Sequence, residues 1–139
     1  MSVTLNPSII GQAEKVHTAI LEVALANTGL DEKQWIILNQ AIAIDPVDTA
    51  ELRTRVVTAT KRTPAEIDSA ITRLNERALL DDAKPTAAGR ALVADIRAGI
   101  APALDRAYGQ VSLKDSAIAA QALATITAAL SQELSKITA

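Results

Sequence analysis

Hydroxyl and guanidinium side chains lie on one side of a helix predicted between Pro64 and Ala78. The outward side follows from a rotation of about 100° per residue, with Ile67 at the centre of the buried side. Its members are Ala65, Ser69, Thr72, Arg73 and Glu76. Such hydroxyl and guanidinium groups form hydrogen bonds with the base edges and phosphates of nucleic acids. An ordinary solvated helix face is the plainer interpretation of the same residues, because charged and hydroxyl side chains lie outside by default, and the residues alone leave both interpretations open.

Residue types that other kinds of chemistry require are missing from the sequence. No Cys is present, which excludes disulfides, thiolate nucleophiles and thiol redox switches, and His17 is the only His, which leaves no cluster of metal ligands. No nucleophile with a base, glycine-rich phosphate loop or spaced pair of carboxylates in an apolar setting can be recognised. We therefore expect a protein that is not an enzyme and that uses no cofactor or metal.

The composition favours closely packed helices. Apolar residues make up 49% of the 139 residues and are almost all aliphatic, with one Trp, one Tyr and no Phe. This usage favours helices over a β-sandwich. The N-terminus lacks a basic region followed by an apolar run, and no window reaches the roughly 18 apolar residues of a membrane span. We expect a mostly α, cytoplasmic protein with no membrane partner.

Apolar periodicity and capping signals predict six helices. They cover residues 7–27, 31–44, 48–60, 64–78, 87–108 and 112–137. Capping boxes are predicted for the pairs Asp31 and Gln34, Asp48 and Glu51, and Thr63 and Glu66. Pro102 predicts a kink or break in the fifth helix. Only the segment DDAKP separates Leu80 from Thr86, which leaves room for a very short hairpin.

The order of these elements is that of a winged helix-turn-helix. Four segments in matching order resemble successive motifs of the MarR family of bacterial transcriptional regulators. They are QWIIL (34–38), TAEL (49–52), AITRLNERALL (70–80) and PTAAGRAL (85–92). The resemblance covers nearly the whole chain and implies a single domain over residues 1–139. In it, a winged helix-turn-helix lobe with a small β-hairpin spans about 31–90, and dimerisation helices span about 7–27 and 91–138.

The resemblance also implies a function and a set of site residues. A homodimer would bind a pseudo-palindromic operator in double-stranded DNA, acting as a repressor rather than an activator, with the fourth helix as recognition helix. The implied DNA-binding residues are Lys61, Arg62, Ala65, Ser69, Thr72, Arg73 and Lys84. A small apolar or aromatic effector is implied as well, with His17 and Trp35 as the first candidates for its site. Structural packing is the plainer interpretation of these two residues.

The chain departs from the family pattern in three places. It is about one helical turn longer between the third and fourth helices than the family's usual spacing, which predicts an unusual turn. Ala78 stands where the family usually has Gly, which predicts a different exit from the fourth helix. The wing is short and contains Asp81 and Asp82, which would repel phosphate, so that Lys84 is its lone candidate contact.

Charge supports DNA binding only weakly. Residues 48–90 contain eight basic and seven acidic side chains, a net charge of +1, while the remainder of the chain carries −3. The sign is right for nucleic acid, but the asymmetry is small. A second interpretation therefore stays open: a MarR-like dimer that has lost DNA binding and acts through protein contacts or as a mixed dimer with a related regulator.

Overall fold

The computed structural model describes residues 3–139, which form six helices and one two-stranded antiparallel sheet. The elements are α1 (Pro7–Leu25), α2 (Glu32–Ile44), α3 (Thr49–Thr60), α4 (Pro64–Glu76), β1 (Leu80–Asp81), β2 (Lys84–Pro85), α5 (Ala87–Tyr108) and α6 (Leu113–Ile137). The mostly α class and the very short hairpin are thereby confirmed. Contacts divide the chain into two compact units, with the boundary between Ala101 and Pro102. Within residues 3–139, no helix combines the length and apolar character needed to cross a membrane.

Two of the predicted capping boxes are complete. At α2, Asp31 Oδ1 accepts a hydrogen bond from the Gln34 amide at 2.8 Å, and the Gln34 side chain accepts one from the Asp31 amide at 3.0 Å. At α4, Thr63 Oγ1 accepts from the Glu66 amide at 3.2 Å, and the Glu66 carboxylate accepts from the Thr63 amide at 3.1 Å. These bonds satisfy amides that have no partner within the helix.

The capping box predicted at α3 forms only in part. Asp48 Oδ1 accepts from the Glu51 amide at 2.8 Å, as expected for an N-cap. The Glu51 carboxylate, however, accepts from the Val47 amide at 3.1 Å instead of the Asp48 amide. The reciprocal half of this prediction is therefore wrong, because the carboxylate reaches one residue further back.

The predicted ends of the first and fourth helices, Asn27 and Ala78, each lie two residues beyond the observed ends, Leu25 and Glu76. The first helix ends at Leu25, not at Asn27, because Asn27 has a left-handed backbone with φ of 67°. Asn adopts this region more readily than most residues, so it can form the turn itself. The predicted break at Pro102 does not occur, since α5 continues through it over 22 residues. Proline removes a single amide donor, and the other hydrogen bonds of a long helix remain.

Ala78 forms a left-handed helix exit without Gly. The helix ends at Glu76, and Ala78 has φ of 57°. The Leu79 amide donates to the Leu74 carbonyl and the Ala78 amide to the Asn75 carbonyl, both at 3.0 Å. This is the paired hydrogen-bond pattern of a Schellman motif. The prediction of a different exit is wrong, because alanine adopts the conformation that glycine usually provides.

The connection between α3 and α4 is short and regular. Only residues 61–63 lie between the two helices. Lys61 closes α3 with a left-handed backbone, φ of 59°, and its amide donates to the Val57 carbonyl at 2.9 Å. The predicted unusual turn is thus an ordinary left-handed helix end, and the chain reaches it after a third helix that continues to Thr60.

The core lies in the lobe formed by α2, α3, α4 and the hairpin. Each of the three helices packs against the other two, and the hairpin packs against α2 and α4. Fully buried side chains come from all of these elements and from the start of α5. They include Ile37, Leu38, Leu52, Val56, Ile67, Leu74, Leu80 and Val93. The lobe therefore fixes the orientation of α4.

Candidate nucleic-acid interface

Helix α4 presents one polar side to solvent. Its buried side consists of Ile67, Ala70, Ile71 and Leu74, which are at most 4% exposed. The predicted outward side is exposed throughout, at Ala65, Ser69, Thr72, Arg73 and Glu76. A helix of 13 residues is about 20 Å long, so this side is long enough to lie in a DNA major groove.

An ion pair links α4 to the preceding helix. Arg53 Nε in α3 donates to Asp68 Oδ1 in α4 at 2.7 Å. The two side chains are 37% and 48% exposed, so solvent screening limits the stabilisation to roughly 1 kcal/mol or less. The pair helps to set the direction of α4, and it also neutralises one cation of the lobe.

Two cations lie in the connection before α4. Lys61 and Arg62 are both exposed, and within residues 3–139 neither side chain forms an ion pair or hydrogen bond. The backbone beneath them is fixed, since the Arg62 amide donates to Thr60 Oγ1 at 3.3 Å. This arrangement provides two unengaged cations at the N-terminal end of α4.

An open hollow of about 330 Å³ separates the start of α2 from α4. Its lining residues are Asp31, Lys33 and Gln34 from the α2 side and Ala65, Glu66, Ser69, Ala70 and Arg73 from α4. Lys33 is a cation beside the candidate interface that sequence reasoning missed. No local signal could have identified it, because only the packing of α2 against α4 brings it to Arg73.

Hydrogen bonds from the side chain of Asn75 connect the hairpin (residues 80–85) to α4. Leu80 pairs with Pro85 and Asp81 with Lys84, which leaves a two-residue turn that begins at Asp82. Asn75 Oδ1 accepts from the Asp82 amide at 2.7 Å, and Asn75 Nδ2 donates to the Asp82 carbonyl at 3.1 Å.

Asp82 itself has φ of 54°. Part of the wing's acidity is thus explained, because Asp tolerates this left-handed backbone better than most residues.

Lys84, the wing's candidate DNA contact, lies next to a carboxylate. Its Nζ is 3.7 Å from Asp45 Oδ1 at the end of α2, and both side chains are largely exposed. On the same side, an open hollow of about 280 Å³ is lined by the start of α3 and by the hairpin. The lining residues are Val47, Asp48, Thr49, Asp81, Asp82, Ala83 and Lys84. The surface around Lys84 therefore carries more negative than positive side chains.

Arg77 has a structural contact elsewhere in the lobe. Its Nη2 donates to the Thr28 carbonyl in the loop between α1 and α2 at 2.9 Å. A Cβ atom on Gly29 would lie 3.0 Å from Arg77 Nη1, so the guanidinium packs closely over that glycine. This arginine connects the end of α4 to a loop 49 residues earlier in the chain.

The two candidate effector residues have different surroundings. His17 is exposed on α1, with Nδ1 at 2.6 Å from the Ala13 carbonyl oxygen. Trp35 is half-buried in α2 and packs against the core of the lobe, and its carbonyl accepts from Asn39 Nδ2 at 2.8 Å. Neither residue lines the hollows beside α4 or the hairpin.

Comparison with known proteins gives structural matches only. No family model and no curated protein sequence matches the chain. A MarR-family transcriptional regulator from Rhodococcus sp. RHA1 aligns with a TM-score of 0.72 at 20% identity, over 91% of this chain and 98% of that one. A Mycobacterium tuberculosis MarR-family protein in complex with DNA aligns with a TM-score of 0.68 at 18% identity, over 89% and 98% of the two chains.

The same mycobacterial protein in complex with salicylic acid aligns with a TM-score of 0.60 at 18% identity, covering 85% of this chain and 94% of that one. At identities this low, the TM-scores establish a shared fold and nothing beyond it. The chain thus has the MarR-type winged-helix fold, which confirms the resemblance read from the four motifs at the level of structure.

Proposed function

We propose that this chain is a sequence-specific DNA-binding transcriptional regulator that uses α4 as its recognition helix. The observation that carries the proposal is the division of α4 into a side that is at most 4% exposed and a polar side that is exposed along its whole length. The complex of a similarly folded mycobacterial protein with DNA supports the same use of the fold. A regulator of this kind acts on DNA in the cytoplasm.

Each residue of the proposed interface has a role that its chemistry suits. Arg73 donates two hydrogen bonds to a guanine edge or to a phosphate, and the hydroxyls of Ser69 and Thr72 bond to bases or phosphates. The methyl group of Ala65 suits contact with the methyl group of thymine. In the connection before α4, the unengaged cations Lys61 and Arg62 bind the phosphate backbone.

We propose a homodimer because α6 exposes an apolar surface. None of its 25 residues is buried. Large exposed apolar side chains along it are Leu113, Ile118, Leu123, Leu130, Leu134 and Ile137. Extended apolar surface of this kind is typical of a protein interface. Two copies related by a two-fold axis would bind a pseudo-palindromic operator. Sedimentation equilibrium tests this, and a monomer at micromolar concentration would contradict it.

We further propose that the regulator is a repressor released by a small aromatic acid. The salicylic acid complex of the similarly folded mycobacterial protein supports this ligand class. His17 and Trp35 remain the first candidates for the site. Trp35 is the only Trp, so its fluorescence reports on that site directly. Titration with benzoate should change the Trp35 emission saturably and weaken DNA binding, whereas no change in either signal would refute this part of the proposal.

The proposal of DNA binding is tested by selection followed by titration. The purified full-length protein selects a duplex from a random library of about 30 base pairs, long enough for two half-sites one helical turn apart. Fluorescence anisotropy then measures affinity for the selected duplex and for a scrambled one.

With Lys61 and Arg62 each on a phosphate in both protomers of the dimer, the slope of log affinity against log salt should be about −3.6, roughly a 150-fold loss between about 50 and 200 mM salt. A flat slope and equal affinity for both duplexes would refute the function.

A protein-binding role is the second candidate, and the ion pairs of the lobe favour it. Arg53 is paired with Asp68 and Lys84 with Asp45, which leaves fewer cations to contact phosphate. Glu76 is exposed on the outward side of α4 itself. In this case the dimer would act through another protein or as a mixed dimer with a related regulator. Recovery of specific DNA with no protein partner in a pull-down would count against it.

A further inference from the structure

The tip of the hairpin packs into the core of the lobe instead of extending into solvent. Each strand has two residues and is therefore about 7 Å long. Ala83, the second residue of the turn, is only 2% exposed and belongs to the buried core. A wing that reaches into a neighbouring groove needs an exposed tip, and here half of the tip is core.

Hydrogen bonds hold this folded-back position. The Asn75 side chain uses both its oxygen and its nitrogen on the backbone of Asp82, at 2.7 and 3.1 Å. Asn75 lies in the last turn of α4, and its Nδ2 also donates to the Ile71 carbonyl at 3.0 Å. The turn of the hairpin is thus joined to the end of α4. Movement of the hairpin toward a minor groove would break both bonds to Asp82.

The charges of the hairpin also disfavour contact with DNA. Lys84 is its only cation and lies 3.7 Å from Asp45. Asp81 and Asp82 are exposed, and with Asp48 they line the hollow beside the hairpin. Carboxylates near phosphates raise the free energy of the complex, and proteins that bind the minor groove use Arg, Lys, Asn or Gln there.

We propose that the hairpin supports α4 and does not contact DNA, so that this chain reads duplex DNA through the major groove alone. The inference rests on the proposed function, since it concerns how the DNA is read. It assigns a positioning role to Asn75, which connects the hairpin to α4. It also removes Lys84 from the implied DNA contacts, which leaves α4 and the cations of residues 61–62 as the interface.

Methylation protection with dimethyl sulfate distinguishes the two grooves in one experiment. The reagent methylates guanine N7 in the major groove and adenine N3 in the minor groove. The full-length protein on the selected duplex should protect guanine N7 in two patches about one helical turn apart. Adenine N3 in the flanking sequence should stay as reactive as in free DNA. Protection of flanking adenine N3 by the wild-type protein would overturn the inference.

A pair of lysine variants tests the same inference by salt dependence. Lys84→Ala should leave the slope of log affinity against log salt unchanged. Its matched control, Lys61→Ala, should make the slope shallower by about 2, because a dimer loses two phosphate contacts. An equal change in slope for the two variants would overturn the inference.

Failure of the premise gives a different result from failure of the inference. A protein that selects no duplex refutes the proposed function, and the inference falls with it. A protein that selects a duplex and protects adenine N3 keeps the proposed function and loses only the major-groove restriction.

Discussion

The lobe buries its large apolar side chains, whereas α6 exposes them to solvent. In the lobe, Leu52 and Ile67 are 0% exposed, whereas in α6 Leu130 is 61% and Ile137 79% exposed. The lobe completes its core within one chain, while α6 exposes apolar side chains that the second copy would cover in the proposed homodimer. We therefore expect internal packing to stabilise the lobe and self-association to stabilise α6.

Leucine truncation should separate the two regions most strongly. Leu52→Ala should lower the free energy of unfolding by about 2–5 kcal/mol at any protein concentration, because it leaves a cavity in a closed core. The matched variant Leu130→Ala should cost less than about 0.5 kcal/mol in dilute monomer, since its side chain is exposed there. It should instead raise the dimer dissociation constant. Urea unfolding and sedimentation measure the two effects, and equal losses in the monomer would contradict the comparison.

Glycine substitutions test packing between α5 and the segment that joins α4 to the hairpin. A Cβ atom on Gly89 would lie 2.2 Å from the Leu79 carbonyl oxygen, which is backbone and cannot rotate away. Gly89→Ala should therefore destabilise the lobe by about 1–3 kcal/mol. Gly99→Ala is the control in the same helix, because nothing lies within 4 Å of its Cβ position. It should stabilise by about 0.5–1 kcal/mol, and a neutral Gly89→Ala would show that the close approach is absent.

The Asn75 side chain should have a moderate effect. Asn75→Ala removes both hydrogen bonds to the Asp82 backbone and should lower the free energy of unfolding by about 1–2 kcal/mol. Amide hydrogen exchange at Asp82 should become faster, while exchange in α6 should not change. Asn75→Asp keeps the acceptor and should give an intermediate exchange rate. Unaltered protection of Asp82 in the alanine variant would mean that the hairpin is held by other contacts.

Ala78→Gly should have the smallest effect and the opposite sign. Ala78 has φ of 57°, a left-handed conformation that costs alanine roughly 1–2 kcal/mol. Glycine avoids this cost, but the greater entropy of its unfolded chain offsets part of the gain. A net stabilisation of about 0.5–1 kcal/mol is expected by thermal or urea unfolding. The control is Ala101→Gly in α5, where glycine should destabilise by a similar amount. A destabilising Ala78→Gly would mean that the exit from α4 is not strained.

Local features of the fold could be predicted from sequence, and distant ones could not. The N-caps Asp31, Asp48 and Thr63 bond to amides three residues away, so a short motif contains all the information. The bond from Asn75 to Asp82 and the bond from Arg77 to Thr28 depend on how separate elements pack. These two bonds join residues that are 7 and 49 positions apart in the chain and belong to different elements, which no local sequence pattern describes.

The candidate site shows the same division. The outward side of α4 follows from helical rotation around Ile67, and the structure exposes each predicted member of it. Lys33 could not be placed beside Arg73, nor Asp45 beside Lys84, because each pair joins two elements through the core of the lobe. Surface geometry within one helix was thus predictable, and the charge environment between elements was not.

The most direct test of the account is the affinity of Arg73→Ala for the selected duplex and for a scrambled duplex. If Arg73 reads a base, the variant should lose about 1–3 kcal/mol of binding free energy on the selected duplex and much less on the scrambled one. If it holds a phosphate, both should weaken alike. Arg106→Ala, at an exposed cation near the end of α5, is the control and should change neither. Unchanged affinity of Arg73→Ala for both duplexes would contradict the assignment of α4 as the DNA-reading helix.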